Sequence, residues 1–459
     1  MSAVRTFEPH RWLAGTLLVA YATVVALMRG PAQWAIAAIL PLVPALLWLV
    51  RSANAWLGLF FVVALLAPPL PVALGDSGPH PALVFAAVGL AIGFLRFGEW
   101  RFRRNLLAGS LVLFFAVLAI SIAPAAIYSG EQIALRSLAR VGLIGISVYV
   151  FFYVSAGPGR RGRGISARLL YWVALASAAF ACLDFYFQFP APAGFETQFV
   201  WLDTGIYRRA QGVFYEASTL GNFCAFFLVM TAVALSRRAG NRIVLMAGAA
   251  VFAVALIFSY SRASVLNVVV ALAAFAVLER SRLTVRRLAV LIAATLAAGA
   301  VIVYQVFPAY SQLYWARLSN SVTEFFASTG GVLAGRLESW RTLGQFLIEH
   351  PWHALLGVGY KTLPYSDFIG RPVVADNMYL SLLVETGVVG LGALLVLSAA
   401  ILREAYAASR SPDSEKSFYG TWILCFWIGQ MFQMFSSDLL TFWRVLPAYL
   451  WVLAMAVRR

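Results

Sequence analysis

Charge is scarce in this chain. Only 12% of its 459 residues are Asp, Glu, Lys or Arg, while 62% are hydrophobic, and that balance excludes a soluble globular fold, in which about a quarter of residues are charged. Cysteine is scarcer still: Cys182, Cys224 and Cys425 each lie in an apolar run and form no CxxC pair, which excludes a disulfide framework or a thiolate metal cluster. The histidines are His10, His80, His350 and His353, with no HExxH spacing, so no metal and no cofactor is expected. No small-residue cleavage site follows the first apolar run, and a removable leader is not expected. Neither an internal repeat nor a low-complexity segment is evident.

What remains is hydrophobic length. Apolar runs of roughly 17 to 25 residues, enough to cross a ~30 Å hydrocarbon core, recur throughout. Barrel strands would be about half that length and would alternate in polarity, so the spans are helices. The expected fold is all-α: one polytopic transmembrane bundle over residues 1–459 with about fourteen spans, near 12–28, 31–50, 54–74, 81–97, 105–123, 138–156, 169–187, 217–235, 243–259, 264–279, 288–306, 378–402, 419–435 and 444–457.

Acidic residues are also few, 19 against 35 basic, for a net charge of +16. In a soluble protein this would point to nucleic acid. In a membrane chain the excess reports topology, because short cytoplasmic connectors collect Lys and Arg. Alternate connectors and the two termini hold 23 of the 35 basic residues, which predicts cytoplasmic termini. The other 12 escape that rule: Arg29, Arg136, Arg140, Arg208, Arg209, Arg262, Arg317, Arg336, Arg341, Lys361, Arg371 and Arg444. They fall on the outer side, where two long loops are expected, 188–216 and 307–377.

The second loop carries the only long polar island, Gly335 to Leu391. Leu337, Trp340, Leu343, Gly344 and Leu347 have helical spacing over 336–349, and Pro351 is expected to end that helix. Its apolar stripe suits either the membrane face or the bundle. Gly357-Val358-Gly359-Tyr360 predicts a tight turn. Asp376-Asn377 stands just before a span, with Asp376 read either as a helix N-cap or as a carboxylate at the bundle mouth. Arg262 lies in a short polar hairpin at membrane depth and reads as a lipid-phosphate anchor or as part of a phosphate clamp. Arg208-Arg209 precede Gly212 to Glu216, and Arg136 and Arg140 share one helix face. Glu216 and Glu385 read as paired structural carboxylates or as site groups.

These residues carry a resemblance. Gly335-Arg336 with Trp340, His350-Pro351, Gly357-Val358-Gly359, Asp376-Asn377-Met378-Tyr379-Leu380 and Glu385-Thr386-Gly387-Val388-Val389-Gly390-Leu391 resemble the signature region of the O-antigen ligase and polymerase superfamily, and Ser261-Arg262 and Arg209 with Gly212 to Ser218 resemble its upstream blocks. The resemblance implies a GT-C-like, metal-independent glycosyltransferase of the bacterial inner membrane. Its active site would be periplasmic and its substrate an undecaprenyl-pyrophosphate-linked glycan, with a glycan or glycolipid acceptor and other polysaccharide assembly proteins as further partners. Asp376 stands where the ligases carry histidine. That departure, with GVFYEAS at 212–218, favours a polysaccharide polymerase over a ligase; a lipid-linked glycan flippase is the alternative of another class.

In that reading Arg209, Arg262 and Arg336 clamp the leaving pyrophosphate through bidentate, charge-assisted bonds. Asp376 is the general base, with Arg262 and Arg336 its catalytic companions, and Asn377 orients base or acceptor. Arg208, Glu216, Arg140 and Tyr379 complete the expected substrate-binding set, the tyrosine as a stacking surface.

Overall fold

The computed structural model describes residues 51–70, 79–102, 105–160, 166–190, 198–202, 205–279 and 334–458, with scattered positions between 20 and 49 and between 297 and 316. Leu57–Arg459 forms one compact unit. The spans expected at 12–28, 31–50 and 288–306, and residues 317–333 of the outer loop, lie almost wholly outside the described residues.

A helix answers each expected span on the described residues: α1 (Ala55–Leu66), α2 (Ala82–Leu95), α3 (Leu106–Ile120) running into α4 (Ile122–Ser129), α5 (Glu131–Ser155), α6 (Ala167–Phe187), α7 (Ala217–Ser236), α8 (Arg242–Phe258), α9 (Arg262–Glu279), α12 (Met378–Ser409), α13 (Ser414–Gln433) and α14 (Leu446–Val457). The island adds α10 (Ala334–Glu349) and α11 (Pro351–Leu356). Among the described residues, six stretches are long and apolar enough to cross a membrane: Leu106–Ser129, α5, α6, α7, α9 and α12. The chain is an all-α membrane protein; among the described residues the one strand pair is an antiparallel hairpin of β1 (Phe199–Leu202) and β2 (Gly205–Arg208) that pairs Phe199 with Arg208.

Helix starts follow from local chemistry. Asn105, Ser166, Asn241 and Asp413 each turn a side-chain oxygen onto an N–H of the following turn, the ordinary way to satisfy amides that have no intrahelical acceptor. Helix α7 is apolar all round and buried along nearly its whole length, as a central helix should be. Its Phe226 ring sits 4.4 Å from both Trp422 of α13 and Tyr449 of α14.

In lipid the hydrophobic effect does not drive helices together, which leaves close packing and interhelical hydrogen bonds, and the bundle centre has both. Asn222 donates to Gln430 (2.5 Å) and Gln433 (2.8 Å). From the other side Asn267 donates to the same two acceptors at 3.1 and 2.8 Å. Gln433 in turn donates to Ser264 (3.0 Å), and Tyr449 donates to Asn222 (2.6 Å). Such bonds contribute about 0.6 kcal/mol each on average, and these fix α7, α9, α13 and α14 in one register.

The island has its own core, in which Leu343 and Phe346 of α10 pack with Val358, Leu363, Val373, Ala375 and Val384. Part of the α10 apolar stripe thus faces the protein, and Trp340 is tied by its indole N–H to the Ala375 carbonyl (2.7 Å). Pro351 opens α11 instead of only closing α10, since proline suits the first helical turn, where its missing N–H has no partner to lose.

Candidate functional site

The cap and the open carboxylate fall on different residues of the Asp376-Asn377 pair. Asn377 is the N-cap of α12, its Oδ1 accepting the Leu380 N–H at 3.1 Å, so its amide oxygen is committed to the helix start. Asp376 lies one residue earlier in the left-handed region, φ 45, where Asp and Asn are the best tolerated non-glycine residues after steric cost is counted. The turn aims its carboxylate out of the cap and toward α10. There Arg336 donates its Nε–H to Asp376 Oδ2 at 3.4 Å and an Nη1–H to Ser436 Oγ at 2.6 Å. Both charged side chains remain open to solvent, 31% and 50% exposed; the pair contributes about 0 to 1 kcal/mol to stability and is accessible to a polar ligand.

Ser436 reaches this position because the start of α12 is fastened to the end of α13. The Met378 N–H donates to the Met434 carbonyl (2.9 Å) and the Tyr379 hydroxyl to the Met431 carbonyl (2.8 Å). The Tyr379 ring also lies 4.7 Å from that of Phe435, tilted by 49°. Its hydroxyl and one side of its ring are thus engaged by the end of α13.

Arg262 opens α9 and is half-buried. Two residues on, Ser264 meets Ser261 (2.8 Å) and accepts from Gln433 (3.0 Å), which sets the start of α9 beside the segment that carries Ser436. Arg209 anchors next to it, donating to the Ser259 carbonyl at 2.9 Å and to Gln198 at 2.6 Å. Arg262, Arg209 and Arg336 therefore surround one end of the bundle. Arg208 does not join them: it is buried in an ion pair with Asp184 (2.5 Å) and bonds the Phe189 carbonyl (2.6 Å). Arg209, the first residue past β2, points to Ser259 and Gln198 instead, while Arg208 faces the core.

Behind the open pair lies a buried charged layer. Lys361 and Asp438 form an ion pair of 2.8 Å, only 15% and 12% exposed. Burial alone would lower the Lys361 ammonium's pKa, but Asp438 and then Glu385 outweigh it, and the net shift is upward. Asp438 also caps the short turn Leu439–Thr441 through the Leu440 N–H (2.9 Å), two residues from Ser436. Glu216 bonds Thr219 (2.7 Å); burial pushes its carboxyl up, against the pull of Thr219, Lys361 and Arg140. Arg140 and Glu216 thus lie within electrostatic reach of Lys361. Arg136, one turn from Arg140, stacks over Tyr365 at 5.2 Å.

The glycine motifs join island to bundle. At Gly387 (φ 70, ψ −173) α12 breaks, freeing the carbonyls of Val384 and Glu385 from the helical ladder. Those carbonyls accept the N–H groups of Val358 (3.1 Å) and Gly359 (2.8 Å). A Cβ on Gly357 would strike the Glu385 carbonyl, one on Gly387 the Leu355 carbonyl, and one on Gly359 Ala125; side chains are excluded by backbone on all three sides. The expected turn at 357–360 is present, and this docking is what it serves.

Sequence reasoning missed Ser436 and Asp438, which it left in the gap between the last two spans. The polar run Ser436-Ser437-Asp438 between apolar helices was the signal that could have found them. Lys361 was among the outer basic residues without a role. Among the described residues, no three His, Cys, Asp or Glu side chains converge as metal ligands do.

Residues 247–395 match the O-antigen ligase family model. The match starts within α8, ends within α12, and takes in Arg262, Arg336, Asp376 and both glycine motifs. The segment is thus that of the O-antigen ligase and polymerase superfamily, set in a chain of candidate membrane spans. No curated protein matches the chain.

Proposed function

We propose that this protein is a membrane-embedded glycosyltransferase that takes a glycan from an undecaprenyl-pyrophosphate carrier and polymerises it at the outer face of the inner membrane. One observation carries the reading: Arg336, anchored by Ser436 and paired with Asp376, stands half-open at the end of the bundle that Arg262 and Arg209 also border. In the proposed reaction an acceptor hydroxyl attacks the anomeric carbon, the bond from that carbon to the pyrophosphate oxygen breaks, and Asp376 takes the hydroxyl proton. The carrier leaves as pyrophosphate, its charge met by Arg262 and Arg336, with Arg209 in support. Guanidinium groups suit that task because they stay protonated and form paired hydrogen bonds.

The periplasmic side rests on the charge pattern. A reporter fused after Thr329 should be exported, and fusions after Arg161 or Pro412 should not; an internal Thr329 reporter would remove the site from its carrier. A second reading, ligation of finished glycan to a lipid A-core acceptor, is favoured by the description of the matched family. Purified protein in proteoliposomes with undecaprenyl-pyrophosphate-linked repeat units distinguishes the three cases. Long chains formed from repeat units alone support the polymerase. Transfer only when a lipid A-core acceptor is added supports the ligase. Movement of lipid-linked units across the bilayer with no new glycosidic bond would point to a flippase and overturn both.

A further inference from the structure

The island is not uniformly polar. Toward its start Glu338 pairs with Arg371 at 2.8 Å, both well exposed, and Arg341 is exposed as well. About 10 Å further along α10, from the 1.5 Å rise per residue, the exposed face turns apolar at Ile348, 82% exposed. The next helix continues the change, with Trp352 at 81% and Leu356 at 67% exposed and Leu355 beside them. Neither α10 nor α11 is long enough to cross a membrane, and the core of the island is already filled by Leu343, Phe346 and their neighbours.

The surroundings say what covers this patch. The Leu355 carbonyl packs on Gly387 of α12, and the next two residues of that span, Val388 and Val389, turn outward with the same exposed, apolar character. On the other side His353 sets its ring 4.8 Å from Tyr128, in the last turn of the candidate span Leu106–Ser129, next to Ile127, which is exposed. The patch is therefore continuous with the outward faces of two spans and stands level with the end of one of them.

We infer that the end of α10 and all of α11 form an elbow seated in the membrane–water boundary, with Ile348, Trp352, Leu355 and Leu356 in the acyl region of the bilayer. Tryptophan is enriched at that depth, and Glu349 and His350, exposed beside the patch, fall at headgroup level. The polar start of α10 then rises out of the bilayer and carries Arg336 to the open pair.

Spin-label accessibility in proteoliposomes of phosphatidylethanolamine and phosphatidylglycerol tests this without reference to glycan transfer. Nitroxides are attached to Ile348→Cys, Trp352→Cys, Leu356→Cys and, as the water-facing control, Arg371→Cys. The native cysteines are buried or half-buried, so the unsubstituted chain serves as the labelling blank. Labels at 352 and 356 should be relaxed by oxygen at least several-fold more than by a water-soluble nickel chelate, with the order reversed at 371. Nickel accessibility at 352 and 356 equal to that at 371 would overturn the elbow. So would labels there shielded from both reagents, which would mean that protein, such as a second copy, covers the patch.

Discussion

Replacing Asp376 with Asn separates a chemical role from a structural one. Asn377, not Asp376, caps α12, so the exchange costs no cap. Position 376 sits at φ 45, and asparagine tolerates that backbone at least as well as aspartate. The ion pair with Arg336 is 3.4 Å long and half open to solvent, worth at most about 1 kcal/mol; the amide oxygen can still accept from Arg336, and the 2.6 Å bond to Ser436 is untouched. Detergent-solubilised D376N should therefore melt within about 2 °C of the parent protein. An amide cannot take a proton, so loss of a general base should slow transfer about 100 to 10,000-fold, roughly 3 to 5 kcal/mol in the barrier. The assay is initial rate of chain growth from lipid-linked repeat units, read beside the melting curve. A variant that melts normally and transfers within about threefold of the parent rate would refute the base assignment and leave positioning and the arginines as the catalytic terms.

Arg336→Lys should keep little activity, because a point charge cannot bond Ser436 and an anion in one plane, whereas Ser436→Ala should cost about tenfold, near 1.4 kcal/mol, through looser placement of Arg336; equal effects in transfer assays would argue against the shared geometry. Gly387→Ala meets both a left-handed backbone and the Leu355 carbonyl and should lose roughly 2 to 6 kcal/mol, the sum of backbone strain and overpacking, visible as a large drop in chemical or thermal unfolding midpoint. Lys361→Met leaves Asp438 and Glu385 without their buried cation and should cost about 3 to 5 kcal/mol, while Asp438→Asn, which keeps the cap on Leu440, should fall short of that in the same unfolding assay. His80 uses both ring nitrogens, Nδ1 accepting the Ala82 N–H (3.1 Å) and Nε2 donating to the Ala67 carbonyl (3.0 Å); burial, with Arg444 nearby, lowers its pKa from 6.5 to about 3. Its folded pKa lies below the unfolded one, so stability is full above pH 6.5 and is lost as pH falls toward 3; at pH 5 the loss is about 2 kcal/mol, and His80→Gln should flatten that part of the stability curve.

The helices were legible because hydrophobic length is written into composition, and the spans at 217–235 and 243–259 fall within a residue of α7 and α8. The break in α12 was not, since an apolar run through Gly387 looks the same whether or not two of its carbonyls bond elsewhere. Arg208 and Arg209 are chemically identical neighbours, and only Asp184, on another helix, decides which one is buried. Asp376 and Asn377 are both good caps, and the backbone angle chose between them. The hairpin β1–β2 was too short to carry a period, and the Lys361–Asp438 pair joins residues with α12 and α13 between them in the chain. Local chemistry was readable in each case; what sequence withheld was which distant partner shared it.

The junction at Val358 and Gly359 is made of main-chain groups, and main-chain groups do not mutate. Just beyond it the chain leaves the island core at Leu363 and returns at Val373, closed by the Val373 N–H on the Leu363 carbonyl at 2.8 Å. Residues 364–372 are therefore a closed excursion, pinned by the Ser129 hydroxyl donating to Ser366 (2.8 Å), by Tyr365 under Arg136, by Phe368 beside Tyr128 and by Ile369 against the island core. The loop is thereby tied to α4 through Ser129 and Tyr128 and to α5 through Arg136, so a change in its composition acts on how the island sits over those helices.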